Sequence, residues 1–246
     1  VSLFDPLRIR PGDVVAVGGA GGKTTLVYRL AAEARARGLR VLVTTTTHMG
    51  TLPDVTTGPV FVEAEGDPQP ALARALAGGG LATLLGRRVR PDKLEGVAPR
   101  RVDELARAAD LVLVEADGAR GRSLKTPADH EPVVPHSTTL LLVLAALDVL
   151  GQPLADGHVH RVDRVAAAAG RPVGSPVDED VIVSALRDPA GYLSRLPPAA
   201  RSAVFLNKAE DPASFGAAAR MARHLVPPYD LVVAGSARAG SGQALF

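Results

Sequence analysis

The chain has 246 residues, 46% hydrophobic and 3% aromatic, with 28 basic and 26 acidic side chains and a formal net charge of +2. That near balance leaves no electrostatic footprint for nucleic acid. The absence of cysteine excludes a disulfide framework, a thiolate zinc site and an iron–sulfur cluster. The longest apolar run, "TTLLLVLAALDVL" at 138–150, is broken by Asp148 and is too short to cross a bilayer. The expectation is a cytoplasmic protein with no membrane or nucleic-acid partner, made of one domain over 1–246.

In chain order, "DVVAVGG" (13–19) reads as a buried strand that runs straight into a glycine-rich turn. From Thr24 the pattern turns helical, with Leu26, Leu30 and Ala34 on one face as far as Gly38. "LRVLVTTTT" (39–47) is a second, β-branched strand, and a helix is expected near 68–77. The glycines and proline of "LATLLGRRVRPDKLEGV" predict a hairpin or a small excursion from the sheet, at about 80–98. A helix over 100–110 leads into the strand "LVLVEADG", and "TTLLLVLAA" and "SAVFLNKAE" supply two more strands. Helical segments are expected near 159–169, 177–187 and 212–225, with "DLVVAGSA" (230–237) as the last strand. Apolar strands alternating with helices predict an α/β fold of the P-loop NTPase type, with a mostly parallel sheet covered by helices on both faces.

The turn after the first strand carries the first chemistry. "VGGAGGKT" (17–24) matches the phosphate-binding pattern G-x-x-x-x-G-K-[ST] except at its opening position, where Val17 stands and Gly18 is expected to take over the turn. The backbone of Gly19, Ala20, Gly21, Gly22, Lys23, Thr24 and Thr25 would wrap phosphates at a helix N-terminus, with Lys23 on the β- and γ-phosphates and the Thr24 hydroxyl on Mg²⁺. Otherwise the segment is a glycine-rich turn with a solvated lysine.

"LVLVEADGARG" (111–121) ends an apolar strand in acid, where a nucleotide site needs a carboxylate for Mg²⁺. Glu115 and Asp117 fall on the same side by strand alternation, and Gly118 completes an E-x-x-G similar to the D-x-x-G that contacts a γ-phosphate. "FLNKAED" places Asn207, Lys208 and Glu210 close to the N-K-x-D that reads guanine, with Glu where Asp is expected. "GSA", with Ser236 and Ala237, resembles the short loop behind the guanine O6. The alternative for this pair of segments is a generic helix entry.

Three further segments remain open. Thr47 and His48 close a threonine-rich strand exit and either line the ligand crevice or simply end the strand. Lys125, His130 and Glu131 lie in the proline-rich stretch 123–135, which is either a substrate clamp or switch, or a rigid connection. His158 and His160, with neither cysteine nor a nearby acid, make a poor metal site.

Taken together, "VGGAGGKTT", "VLVTTTTHM", "VEADGARGRSLKTPADHEPVVP", "HVHRVDRV" and "FLNKAED" resemble the YqeC family, from residue 17 to about 211. The resemblance implies an accessory protein that helps make or insert the selenium-containing cofactor of molybdenum hydroxylases. The E-x-x-G and N-K-x-[DE] arrangement also resembles GTPases that load nickel into hydrogenase and urease. This chain lacks their histidine- and cysteine-rich segments, which argues against metal storage.

The sequence thus points to an NTPase that binds GTP, or ATP, with Mg²⁺, has a protein client and forms a homodimer. Lys23, Glu115 and Asp117 carry its chemistry, and Thr24 with Glu115 or Asp117 holds the metal. The competing readings are a small-molecule kinase, whose acceptor sits on the 123–135 loop and His48, and a nucleotide-gated adaptor that does not hydrolyse.

Overall fold

The computed structural model describes residues 2–49, 58–90 and 93–246. Strand β1 (Asp13–Gly19) feeds α1 (Lys23–Ala36), followed by β2 (Val41–Thr45), β3 (His48–Met49) and β4 (Val60–Val62). Next come α2 (Gln69–Leu76), β5 (Leu81–Leu85), β6 (Arg87–Arg90), β7 (Lys93–Glu95), α3 (Pro99–Leu105), β8 (Leu111–Glu115) and β9 (Leu124–Lys125). The second half holds β10 (Leu140–Ala146), β11 (Val159–His160), α4 (Val162–Ala169), α5 (Glu179–Arg187), β12 (Arg201–Asn207), α6 (Pro212–Leu225), β13 (Leu231–Ser236) and β14 (Ser241–Ala244).

Among the described residues, nine strands form the main sheet in the order β14-β13-β12-β10-β1-β8-β2-β5-β4, and every pairing is parallel except β13 with β14. This is the mostly parallel α/β sheet that the alternation of apolar strands and helices predicts. β1 lies between β8 and β10, so the glycine turn leaves the sheet between the exits of the acidic strand and its neighbour.

Strand periodicity divides the core. Val15 and Val17 of β1 pack with Leu26, Leu30 and Ala34 of α1, and the N-terminal segment adds Leu3, Phe4 and Leu7 to the same layer. Ala16 packs on the opposite face with residues of α4, α5 and α6, while Val14 meets Leu72 of α2 and Val102 of α3. Both faces are therefore covered, as the unbroken apolar strands require.

Three boundaries differ from expectation. Leu81–Leu85 belongs to the main sheet, parallel to β2, because all five residues are apolar or threonine and fully buried. Only β6 and β7 leave it, pairing with each other and with β3; residues 91 and 92 lie outside the described residues. β13 is not the last strand: the polar Ser241–Ala244 turns back antiparallel on it. Finally, Gly18 does not make the turn. It stays in β1, paired with Val143, and the left-handed backbone begins at Gly19, with φ +95°. A side chain at Gly18 would meet the Tyr192 ring at 3.4 Å, so packing against that ring is the constraint there.

A Cβ at Gly19 would sit 2.1 Å from the Leu144 carbonyl oxygen, in a backbone region that L side chains rarely adopt. Gly19→Ala is expected to cost about 2 kcal/mol or more of stability, read as a lower midpoint in urea denaturation. An unchanged midpoint would show that β1 and β10 can separate at no cost.

Candidate functional site

At its N-terminus, α1 begins with no side-chain cap and no acidic residue in its first turn, and its N-cap is Gly22 at φ 116°. The first N–H groups of a helix have no partner within it, so they form a bare, partly positive surface. Gly19 and Ala20 are not part of that surface: their N–H groups donate to Asp117 Oδ2 (3.0 Å) and to the Leu144 carbonyl (2.9 Å). The Thr24 hydroxyl donates to Glu115 Oε2 at 2.9 Å.

The two acids of the β8 exit have different partners. Glu115 meets Thr24, and its backbone carbonyl accepts from the Thr45 hydroxyl. Burial raises the Glu115 carboxyl above its ordinary range, with Asp117 adding to the shift, while Lys23 and Thr24 oppose it. A buried carboxylate and a hydroxyl at a helix N-terminus are hard oxygen donors, the set that Mg²⁺ takes. Asp117 is fully buried and held by cations, with Lys23 Nζ at 3.2 Å and Lys125 Nζ at 3.1 Å. Lys23 also donates to the Gly19 carbonyl at 2.7 Å, so its ammonium lies folded across the loop.

Lys125 extends this network. It donates to the Gly118 carbonyl at 2.7 Å and to Glu131 at 2.8 Å, and Glu131 also pairs with Arg161 at 3.0 Å. Burial opposes ionisation of Glu131, but Lys125, the Ala128 N–H and Arg161 outweigh it and lower its pKa. The Tyr192 hydroxyl donates to the Lys125 carbonyl at 3.2 Å. Of the 123–135 residues singled out in the sequence, Lys125 and Glu131 are therefore buried partners in an ion network, whereas His130 is exposed.

A cleft of about 720 Å³ opens over the bare helix end. Gly21, Gly22, Lys23, Thr24, Thr25, Glu115 and Gly118 line it, as do Thr47, His48 and Glu131. Among the described residues, no three histidine, aspartate or glutamate side chains come together as a metal cluster.

The segments expected to read a base lie against the glycine turn, outside this cleft. Asn207 is buried and acts as a bridge: its amide donates to the Gly21 carbonyl at 2.7 Å, and its oxygen accepts from the Ala237 N–H at 2.9 Å. Lys208, in a left-handed conformation at φ 61°, points to Asp148 at 2.6 Å. Glu210 is exposed and accepts from the Ser236 hydroxyl at 2.6 Å. Both line an opening of about 600 Å³ with Ala209, Arg238 and Ser241. The neighbouring Asp211 caps α6 in a reciprocal box with Ser214, which occupies it structurally.

Residues 15–163 match the family described as YqeC protein. Over 197 residues the chain is 32% identical to the uncharacterized protein YqeC of Escherichia coli (strain K12), covering 79% of this chain and 75% of that one. The chain belongs to the YqeC family. Among solved structures, that of the hydrogenase maturation factor HypB from Archaeoglobus fulgidus is similar over 97% of this YqeC chain and 88% of its own, at 15% identity and a TM-score of 0.44. No described helix of this YqeC chain is long and apolar enough to cross a membrane.

Sequence reasoning missed several residues of the YqeC cleft. Arg120 and Arg122 stand in the quoted "GARGR" without being singled out, and Lys93, Arg90 and Arg161 also line the cleft. The density of arginine immediately after the acidic strand was the available signal. Tyr192 had none, because its place beneath Gly18 depends on long-range packing.

The raised Glu115 pKa carries a sign. A carboxylate that titrates higher in the folded than in the unfolded chain costs stability while ionised, and that cost disappears as pH falls through the raised value. Glu115→Gln keeps a Thr24 acceptor and removes the charge. Its melting temperature at neutral pH is expected to equal or exceed that of the parent, and any gain should shrink at mildly acidic pH. A less stable variant at neutral pH would mean that Lys23 and Thr24 already offset the buried charge.

Proposed function

We propose that this YqeC-family protein is a Mg²⁺-dependent P-loop NTPase that prefers GTP, and that its nucleotide state drives a step in maturation of a selenium-dependent molybdenum hydroxylase or its cofactor. The observation that carries the nucleotide reading is the uncapped start of α1 facing a cleft, with Lys23, Thr24 and Glu115 converging on it. An anion seated there receives N–H groups that have no other partner. The client assignment rests on the resemblance to the family.

In this reading, Lys23 exchanges the Gly19 carbonyl for phosphate oxygens while Asp117 keeps the ammonium aimed along the loop. Thr24 and Glu115 would hold Mg²⁺, which supplies charge neutralisation on the terminal phosphates. Hydrolysis then depends on positioning and on electrostatics in a partly enclosed site, with the client completing it. Asp117 acts through Lys23 and touches no phosphate.

Lys23→Ala is expected to abolish nucleotide binding, measured with fluorescent GTP and ATP, and incubation of the parent protein with labelled GTP should release free phosphate. Normal binding by a folded Lys23→Ala protein would overturn the reading. Tight binding without turnover, even with client present, would leave an adaptor.

Base preference is argued from hydrogen-bond matching. Guanine offers an N1–H and an exocyclic amine that a carboxylate accepts together; adenine has no N1–H and carries its amine where guanine has O6. Loss of such a charge-assisted pair is worth about 2 kcal/mol. GTP is therefore expected to bind at least about tenfold more tightly than ATP. Glu210→Ala should erase this difference and Asp211→Ala should keep it while lowering the melting temperature. Competition titrations with equal affinities and no effect of Glu210→Ala would reduce the segment to a helix entry.

A further inference from the structure

We infer that the cleft takes a second ligand beside the nucleotide: a small molecule carrying a phosphate monoester, seated against Arg120, Arg122 and Arg161. The inference rests on the nucleotide reading above only for the identity of the neighbouring ligand.

Space is the first argument. The cleft and the opening at Glu210 lie on either side of the phosphate loop and share no lining residue. A nucleotide whose phosphates sit on α1 and whose base lies at Glu210 extends away from the 118–122 loop and from β11. That wall of the cleft is left unfilled.

Charge is the second. On the walls beyond the phosphate loop, Lys93, Arg120, Arg122 and Arg161 face one carboxylate, Glu131. Glu131 is itself engaged by Lys125 and Arg161. A magnesium-bound nucleoside triphosphate carries a net charge of about −2, and Lys23 with the helix N-terminus already serves it. The surplus positive charge needs an anion of its own.

The three arginines of the proposed seat keep donors to spare. Among the described residues, the Arg120 and Arg122 side chains make no hydrogen bond or ion pair. Arg161 pairs through one terminal nitrogen with Glu131, and its buried Nε has no partner. Arg120 and Arg161 both hold left-handed backbones, at φ 49° and 59°, a strained conformation kept where surrounding structure enforces it. His160 lines the same cleft, and its pKa is lowered first by burial and then by Lys125, Arg161 and Arg120, with only Glu131 opposing. The local potential is positive.

The chemistry selects the ligand. Guanidinium forks match the oxygens of phosphate in a bidentate way, and several of them around a dianion give the strongest charge-assisted bonds a protein makes. The phosphate group would lie in the same cleft as the terminal phosphate of the nucleotide, so each ligand senses whether the other is present.

The test uses the full-length protein saturated with Mg²⁺ and a non-hydrolysable GTP analogue, titrated with inorganic phosphate, glycerol 3-phosphate and glycerol. Calorimetry is expected to show saturable binding of the first two and none of glycerol. Arg122→Ser should weaken it at least about tenfold while the analogue keeps its affinity, and exposed Arg120→Ser should act in the same direction. The His160 imidazole, followed by NMR, should titrate at higher pH once phosphate is bound. Phosphate that competes with the analogue, or an arginine variant that weakens the analogue as much as phosphate, would assign these cations to the triphosphate and overturn the proposal. No phosphate binding beside normal nucleotide binding would overturn it and leave the nucleotide reading standing. Arginine-dependent phosphate binding in a protein that takes no nucleotide would do the reverse.

Discussion

The carboxylate of Asp117 is the contact on which the site depends. It has no exposure to solvent, so its charge is tolerable only because two ammonium groups and the Gly19 N–H surround it. Those partners come from different parts of the chain: Lys23 from the start of α1, Lys125 from β9 and Gly19 from the end of β1. One buried charge therefore joins the glycine turn to the segment that carries Glu131, which Arg161 also engages. Removing it would take the ion-pair partner from Lys23 and leave Lys125 with Glu131 alone, so the geometry of the loop and that of the cleft wall are coupled.

The two acids at the β8 exit show how position along a strand end becomes division of labour. Glu115, the last residue of β8, still follows the pleat and reaches Thr24. Asp117 lies beyond the strand, where the chain turns inward, and its side chain meets lysines instead. The first keeps a raised proton affinity and suits a dication. The second is already neutralised and suits the task of aiming Lys23.

Much of the fold was legible because its signals are local. β1, β8, β10, β12 and β13 are unbroken apolar runs, and α6 is announced by Asp211 followed by Pro212, a cap and a first-turn proline that the structure uses as such. β14 was not legible, since Ser241–Ala244 is short and polar and is a strand only because β13 offers it an edge. β5 was hidden by the charged hairpin that follows without a break. In the candidate site, the glycine turn and the acidic strand exit could be placed from spacing. The arginine wall could not, because it needs β11 to pair with β9, setting His160 opposite Lys125, and no local pattern encodes that pairing.

The ends of the main sheet have a consequence for assembly. Among the described residues, one edge strand, β4, has three residues, and the other, β14, has four and includes Gly242. Such short ladders present few free backbone groups, so a neighbouring chain gains little by adding a strand of its own. A lasting complex of this molecule then gains more from side chains over helices and loops than from strand addition. Its partners would be chosen by surface chemistry more than by the promiscuous pairing of backbones.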